Sequence, residues 1–367
     1  MDEELHRLPQ SQGGQPPRRM IRLVENDPAM GKPIRIVSPQ PVRPPAPPAQ
    51  PTAAPKPIRP GGAAARPRSA PHKPVDRAQL HEAAERARSM QGRQTRHSLG
   101  TRYRVGPRLG EGGTGTVYKA HDMLLDMAVA VKVLLPALAR DPAALATIRR
   151  EARLTMALSH RHIVRLHNLE KAGSTYFLVM EYVEGETLRR MIDKSGPFPV
   201  HDADIIIEVA ADAVSHAHRR GILHNDLKAD NLMLDTNGVV KVIDFGIGCL
   251  LNRQWSSEFI MGTPAYMSPE QARGEELDPR TDVYAMGVLA YELIAGRLPC
   301  SGSVTIKEVS TGPVLDFSGV PVPVRAVLEK ATAFDKHNRL DSARTLHSAL
   351  HEAMRACWPE AFPARPS

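Results

Sequence analysis

The period of hydrophobic and polar positions changes near residue 187 and divides the chain into two kinds of structure. Before this point, short apolar or alternating runs predict strands, and one helical run covers residues 142–158. The strand-like runs are VYKA, MAVAVKVL and TYFLVMEYV at residues 117–120, 127–134 and 175–183. The pattern predicts a small sheet-rich unit that contains one helix.

Beyond residue 187, apolar positions recur at helical spacing. Four runs predict helices, at residues 204–219, 281–295, 323–334 and 341–356. No internal repeat is found. The expected fold class is therefore α+β, with a small β-rich lobe followed by a larger, mostly helical lobe.

Composition separates residues 1–98 from the rest. This stretch contains no Phe, Trp or Tyr and holds 18 of the 33 prolines. Such a stretch buries too little apolar surface to offset its ordering entropy, so we expect a disordered tail over residues 1–101. Within it, residues 76–90 predict a short helix with Asp76 as its N-cap.

Charge follows the same division. Residues 1–99 carry 17 Lys+Arg against 8 Asp+Glu, and the remainder carries 31 against 32. The basic excess belongs to the tail, which has no aromatic side chain for base stacking, so we expect no nucleic-acid partner. A tail that binds nucleic acid or anionic lipid remains an alternative, as does an unidentified partner.

Cysteine usage and hydropathy indicate a compartment. Cys249, Cys300 and Cys357 are an odd number without CxxC spacing, which argues against a disulfide framework or a zinc site. The N-terminus has no apolar signal region, and every apolar run is interrupted before the length of a membrane span. We expect a cytoplasmic protein without a membrane span.

A glycine-rich segment provides the first candidate chemistry. Glycines let a backbone approach phosphate oxygens without interference from Cβ. The GxGxxGxV segment comprises Gly110, Glu111, Gly112, Gly113, Thr114, Gly115 and Val117. Alone it is a weak signal, since dinucleotide folds and plain turns contain the same pattern, but a strand-like run follows here where a dinucleotide site would have a helix.

Charged residues at later positions supply the remaining parts of a phosphoryl-transfer site. Lys132 ends an apolar strand, and Glu151 on the helical run is expected to hold its ammonium group. HNDLKADN at residues 224–231 and DFG at residues 244–246 add carboxylates, a lysine and a carboxamide. Phosphoryl transfer needs phosphate, metal and hydroxyl held in line, and chance does not explain this joint order of motifs.

In this order the motifs resemble a protein kinase, most closely the bacterial relatives of the eukaryotic serine/threonine kinases. The resemblance implies a two-lobed kinase domain over residues 102–356, with the N-lobe at about 102–182 and the C-lobe at about 183–356. A C-terminal tail would cover residues 357–367.

The resemblance also implies which residues bind nucleotide. The glycine loop would cover the ATP phosphates, and Lys132, held by Glu151, would contact them. The adenine pocket would be formed by Ala130, Met180, Glu181, Val183 and Met233.

The same resemblance implies a catalytic set. Asp226 would accept or orient the proton of the substrate hydroxyl, and Lys228 would neutralise the transferring group. Asn231 and Asp244 would hold Mg²⁺, with Mn²⁺ as an alternative. Thr263 indicates protein Ser/Thr substrates, and autophosphorylation is expected, with candidate acceptors at Ser69, Ser89, Thr95 and Ser98.

One departure concerns control. Asn225 stands where many kinases have an arginine that binds an activation-loop phosphate. We therefore expect a non-RD kinase whose activity depends little on phosphorylation of Ser256 or Ser257. The alternatives to an active protein kinase are a pseudokinase scaffold and a small-molecule kinase. His224 is expected to pack and hydrogen-bond without transferring protons, and Cys249 to be a packed core cysteine.

Overall fold

The computed structural model describes residues 99–245, 264–300 and 304–362 of the chain. The predicted tail lies outside these residues except for its last three positions, where Leu99 is buried and bonds to Tyr103. The predicted helix at residues 76–90 also lies outside them. So do other positions singled out above: Ser69, Ser89, Thr95, Ser98, Gly246, Cys249, Ser256, Ser257 and Thr263.

An antiparallel five-stranded sheet forms the N-lobe, in the order β1-β2-β3-β5-β4. Its strands are β1 Tyr103–Gly112, β2 Gly115–Asp122, β3 Met127–Leu134, β4 Leu166–Ala172 and β5 Thr175–Glu181. The strand predictions at β2, β3 and β5 are confirmed. The sequence did not predict β4, because LHNLEKA is mostly polar, and Leu166 is its one fully buried residue.

Two helices follow β3. The first, α1 Pro136–Arg140, is too short for its period to be detected, whereas α2 Pro142–Met156 is the predicted helix. Asp141 caps α2 by accepting hydrogen bonds from the amides of Ala143 and Ala144 at 2.8 and 3.3 Å. This cap sets the start of the helix.

The C-lobe is mostly helical in the parts that the structure describes. Its helices are α3 Leu188–Ser195, α4 Val200–His218, α5 Pro269–Arg273, α6 Pro279–Ala295, α7 Ile306–Thr311, α8 Val322–Ala331 and α9 Ala343–Cys357. The four long helices expected from the sequence correspond to α4, α6, α8 and α9. The others have at most eight residues, too few to establish a period.

A small second sheet positions the candidate site. It consists of β6 Gly185–Thr187, β7 Leu232–Asp235 and β8 Val240–Val242, paired antiparallel in the order β6-β7-β8. The amide of Ile243 donates to the carbonyl of Asn231 at 2.9 Å. This pairing brings the HNDLKADN segment next to Asp244.

Separate apolar clusters form the interiors of the lobes. The C-lobe has one large cluster built chiefly on α4, α6 and α9, and the N-lobe has two smaller clusters. Among the described residues, no helix combines the length and the apolar character needed to cross a bilayer.

Candidate active site

The glycine segment lies at the hairpin between β1 and β2. Gly110 and Gly112 are at the end of β1, and a Cβ atom added to either would meet no atom within 4 Å. A Cβ added to Gly115 would lie 2.0 Å from the carbonyl oxygen of Val133 on β3. Gly115 is therefore required by strand packing, while the other two glycines leave open space beside the backbone.

Four of the five residues predicted to surround adenine gather in one apolar cluster. Met180 pairs with Ala130 across β5 and β3, and both are buried. The same cluster includes Val183 and, partly buried, Val117 and Met233. It also contains Tyr182 and Ile243, which were not predicted as site residues; the position of Ile243 directly before Asp244 is the signal that could have identified it.

Glu181 has its side chain engaged outside the apolar cluster. Its carboxylate accepts from Lys241 at 2.8 Å and from the amide of Arg165 at 3.1 Å. Its own amide donates to the Arg165 carbonyl at 2.9 Å. These bonds fix the end of β5, where the chain passes into the C-lobe.

Lys132 and Asp244 form an ion pair at the junction of the two lobes. The ammonium donates to Oδ2 of Asp244 at 2.9 Å, and only 6% of the lysine side chain is exposed. Burial by itself would raise the pKa of Asp244, but the charge and the hydrogen bond of Lys132 outweigh it and keep this pKa below its usual value. The carboxylate is thus ionised.

The expected pairing of Lys132 with Glu151 is wrong for this structure. Among the described residues, Glu151 accepts a hydrogen bond from its neighbour Arg150 at 2.8 Å, and Lys132 is bonded to Asp244. The physical reason is that a buried ammonium group needs one close carboxylate, and Asp244 supplies it. Helix α2 contacts the segment that contains Asp244 through another residue. Thr155 donates a hydrogen bond to the carbonyl of Phe245 at 3.4 Å.

Asp226 lies at the centre of a short hydrogen-bond network. Lys228 donates to both of its carboxylate oxygens, at 2.9 and 2.8 Å. The side-chain amide of Asn231 donates to Oδ2 at 3.0 Å and to the Asp226 carbonyl at 2.7 Å. The side chains of Asp226, Lys228 and Asn231 therefore lie together. The carboxylate of Asp226 is also partly exposed.

Asp282 anchors the segment that contains Asp226. Its buried carboxylate accepts the backbone amides of His224 and Asn225, both at 2.8 Å, as well as His218 at 2.7 Å. Burial opposes ionisation of Asp282, but the bond from His218 and its charge keep the pKa low. Asn225 has a φ of 63°, so these bonds hold a backbone conformation that non-glycine residues rarely adopt.

The comparisons with known proteins agree with this geometry. A family model described as "Protein kinase domain" matches residues 103–350. The serine/threonine-protein kinase PknB of Mycobacterium leprae is 38% identical over 277 residues, which are 72% of this chain and 44% of that protein. The chain belongs to the bacterial serine/threonine protein kinases.

Other kinases give the same result. PrkC of Bacillus subtilis is 36% identical over 264 residues, 70% of this chain and 41% of PrkC. The crystal structure of the Mycobacterium tuberculosis PknI kinase domain matches with a TM-score of 0.58 and 27% identity, and covers 71% of this chain and 98% of that domain. The chain spans less than half of the length of the curated relatives it matches.

His224 has the packing role expected from the sequence. Its ring lies 4.6 Å from that of Phe245, centroid to centroid, and its Nε2 bonds to the carbonyl of Ile243 at 3.0 Å. Burial lowers the pKa of His224, so the imidazole of the kinase stays neutral. A neutral, fully buried ring holds the aspartate segments together and does not reach solvent.

Asn231 and Asp244 fit a divalent metal ion. Carboxylate and carboxamide oxygens are the ligands that Mg²⁺ prefers. The amide nitrogen of Asn231 is committed to Asp226, which leaves its oxygen as the ligand atom, and Oδ1 of Asp244 makes no hydrogen bond within the described residues. The kinase therefore presents two hard oxygen donors on adjoining segments.

Ser268 is the N-cap of α5. Its hydroxyl accepts from the Gln271 amide, and the Gln271 side chain accepts from the Ser268 amide, so the pair forms a capping box on α5. The side chain of Gln271 also donates to the carbonyl of Asn225 at 2.8 Å. The cap thereby ties α5 to the catalytic segment of the kinase.

Proposed function

We propose that this kinase domain transfers the γ-phosphoryl group of ATP to serine and threonine hydroxyls of proteins. The observation that carries the proposal is the network in which Lys228 and Asn231 both bond to the carboxylate of Asp226. Phosphoryl transfer needs little covalent work from a protein, so positioned charges account for most of the catalysis.

In the proposed step, the oxygen of the acceptor hydroxyl bonds to the γ-phosphorus, and Asp226 takes the proton of that hydroxyl. The bond between that phosphorus and the bridging oxygen breaks, and its electron pair leaves with ADP. Lys228, already bonded to Asp226, neutralises charge on the phosphoryl group during transfer. Both groups lie within five residues of Asn231, so their spacing is fixed by one short segment.

Nucleotide binding is assigned to the apolar cluster and the glycine hairpin. The adenine ring would lie between Ala130 and Met233, beside Met180, where the cluster already joins residues from both lobes. Gly110 and Gly112 leave room for phosphate oxygens next to the backbone. Lys132 brings a buried positive charge toward the same phosphates.

Asn231 and Asp244 would hold Mg²⁺, which supplies charge neutralisation on the phosphate oxygens when bound. Mn²⁺ also accepts such oxygen donors. Comparing transfer rates with each metal, in wild type and in Asp244→Asn, tests the assignment. Equal rates in the two proteins would contradict it.

The test of function is phosphate transfer from labelled ATP in the presence of Mg²⁺. We expect incorporation into serine and threonine of the chain itself and of an added protein, measured by phosphoamino-acid analysis. Asp226→Asn should lower the rate about 10²- to 10⁴-fold, the usual contribution of general base catalysis. The matched control is Asp230→Asn, four residues later and exposed, which should leave the rate unchanged.

Two results would overturn the proposal. Equal incorporation in wild type and Asp226→Asn would indicate a pseudokinase scaffold with contaminating activity. Activity toward small hydroxyl compounds with none toward proteins would indicate a small-molecule kinase.

Finer features of the proposal concern organisation and control. The kinase domain would extend over residues 102–356 and act in bacterial signalling from the cytoplasm, which the cysteine pattern favours. Asn225 carries no charge to bind a phosphate, which supports a non-RD kinase. Ser256→Ala/Ser257→Ala should then retain most of the wild-type rate, and a large loss of turnover would contradict this.

A further inference from the structure

A cluster of metal-binding side chains lies in the C-lobe, on residues that have no part in the active site. Asp204 on α4 faces His347 and His351 on α9, and the three potential ligand atoms lie within 4.8 Å of one another. The two histidines are four residues apart, so they project from the same face of their helix. We propose that these three side chains form a zinc site that joins α4 to α9.

One of the two carboxylate–imidazole contacts fits a metal site better than a hydrogen bond. Oδ1 of Asp204 lies 3.3 Å from Nε2 of His347, yet neither atom has a hydrogen-bond partner among the described residues, although both are buried. Two ligands of a tetrahedral zinc ion at about 2.0–2.1 Å are about 3.3 Å apart. An ion between them would satisfy both atoms at once.

The second carboxylate oxygen completes the arrangement. Oδ2 of Asp204 is hydrogen-bonded to Nδ1 of His351 at 2.8 Å, and a zinc ion would replace this bond. The carboxylate therefore directs one oxygen to each imidazole. Small rotations of the rings would place all three ligand atoms at similar distances from one ion.

Burial also favours a metal ion. Asp204 is 6% exposed, and a buried carboxylate with an unpaired oxygen is unfavourable unless a cation compensates it. His347 is 17% exposed and His351 is 36% exposed, so the cluster opens toward solvent on the His351 side. A water molecule could thus complete four-coordination from that side, as in open zinc sites with three protein ligands.

The chemistry of the ligands selects the metal. Two imidazoles with one carboxylate suit zinc, whereas magnesium and calcium prefer oxygen donors alone. The catalytic pair Asn231 and Asp244 is of the oxygen type. Excess Mg²⁺ should therefore occupy the active site and leave the α4–α9 cluster to zinc.

The two helices are already held in register beside the cluster. Arg344, one turn before His347 on α9, pairs with Asp212 on α4 at 3.1 Å. The order of the pairs shows that α4 and α9 run antiparallel. A zinc ion at Asp204 would be a second, stronger connection between the same helices.

The test uses the full chain, without an affinity tag and stripped of metal by a chelator. Zinc is titrated in the presence of excess Mg²⁺, in competition with a chromophoric chelator. We expect one zinc ion per chain, an increase in Tm on zinc addition, and strong visible absorption when Co²⁺ replaces zinc. Because metal binds the folded state, the increase in Tm should follow the zinc concentration.

Variants identify the ligands. His347→Gln and Asp204→Asn should each weaken zinc binding at least tenfold and abolish the increase in Tm, while His337→Gln, an exposed histidine of the same lobe, should change neither. His351→Gln, at the solvent side, serves as the third variant if Asp204→Asn fails to fold. Circular dichroism without zinc checks that each variant is folded.

Two outcomes would overturn the proposal. One is the absence of zinc binding when Mg²⁺ is in excess, which would leave a hydrogen-bonded cluster without a metal. The other is equal zinc affinity in wild type and His347→Gln, which would show an adventitious ion only, bound at other histidines.

Discussion

Single residues in this protein show how burial and partners decide the state of a charge. Asp244 is ionised because the charge of Lys132, 2.9 Å away, keeps its pKa below the usual value. For a buried histidine without such an ion pair, burial favours the neutral ring. His162 is buried, and its Nδ1 bonds to the carbonyl of Val240 at 2.8 Å, a bond that by itself would raise its pKa but that burial outweighs. Burial lowers the pKa of His162 below its ordinary value of 6.5.

This shift predicts a pH-dependent stability. Below pH of about 6.5 the unfolded chain binds a proton that His162 in the folded state does not, so the free energy of unfolding falls as the pH decreases. The contribution of His162 to this decrease in the free energy of unfolding reaches about 1.4 kcal/mol per pH unit. His162→Gln should therefore make the dependence shallower, measured by urea unfolding between about pH 5 and about pH 7.5.

The matched control for this prediction is His121→Gln. His121 is partly exposed and bonds to exposed Asp126, so this variant removes a surface histidine and leaves the buried ring of His162 in place. An identical pH dependence in His162→Gln and wild type would contradict the assignment.

Among the elements, the hairpin of β1 and β2 separates two uses of glycine. Gly115 lies against the backbone of β3, where a Cβ atom has no room. Gly112 has no neighbour within 4 Å of that position. One glycine therefore serves the packing of the sheet, and the other keeps open the space that we assign to phosphate.

Alanine substitutions distinguish these uses. Gly115→Ala should destabilise the domain by about 1–3 kcal/mol, the usual effect of forcing extra volume into a packed site. Gly112→Ala should change stability by less than about 1 kcal/mol and weaken ATP binding instead. Urea unfolding and nucleotide titration measure the two effects, and equal destabilisation by both substitutions would contradict the distinction.

At the scale of the whole molecule, one buried ion pair connects distant parts of the C-lobe. Arg339 donates to both oxygens of Glu270 at 2.7 Å, and the two side chains are 0% and 1% exposed. Arg339 also bonds to the carbonyls of Ala333 and Arg280. Burial opposes ionisation of Glu270, but its bonds to Arg339 keep the pKa below the usual value.

Breaking this pair should be costly. Arg339→Met leaves the buried carboxylate of Glu270 with its hydrogen bond from Thr281 but without a compensating cation, so we expect a loss of about 3–5 kcal/mol in the free energy of unfolding. Adding Glu270→Gln should recover part of the loss because it removes the unpaired charge. Urea unfolding compares both with Arg344→Met, which breaks an exposed pair and should cost about 1 kcal/mol or less.

The interpretation depends on the order of these three results. If Arg339→Met and Arg344→Met have the same effect, the buried pair does not stabilise the C-lobe beyond an ordinary surface contact.

The sequence by itself determined the long elements and the local part of the site. Helices α2, α4, α6, α8 and α9 have enough turns for their apolar period to be recognised. The network around Asp226 is likewise local, since its partners Lys228 and Asn231 are two and five residues away. A motif of eight residues therefore contains the whole arrangement.

The tertiary structure decided those contacts between distant segments that the sequence had assigned wrongly or not at all. Lys132 bonds to Asp244, 112 residues later, although Glu151 was the expected partner. Asp204 and His351 are 147 residues apart, and no sequence pattern indicated that they meet. Pairings of this kind depend on how helices and sheets pack, because packing decides which charged groups are buried next to each other. The pattern of residues along one segment contains no information on which distant segment packs against it.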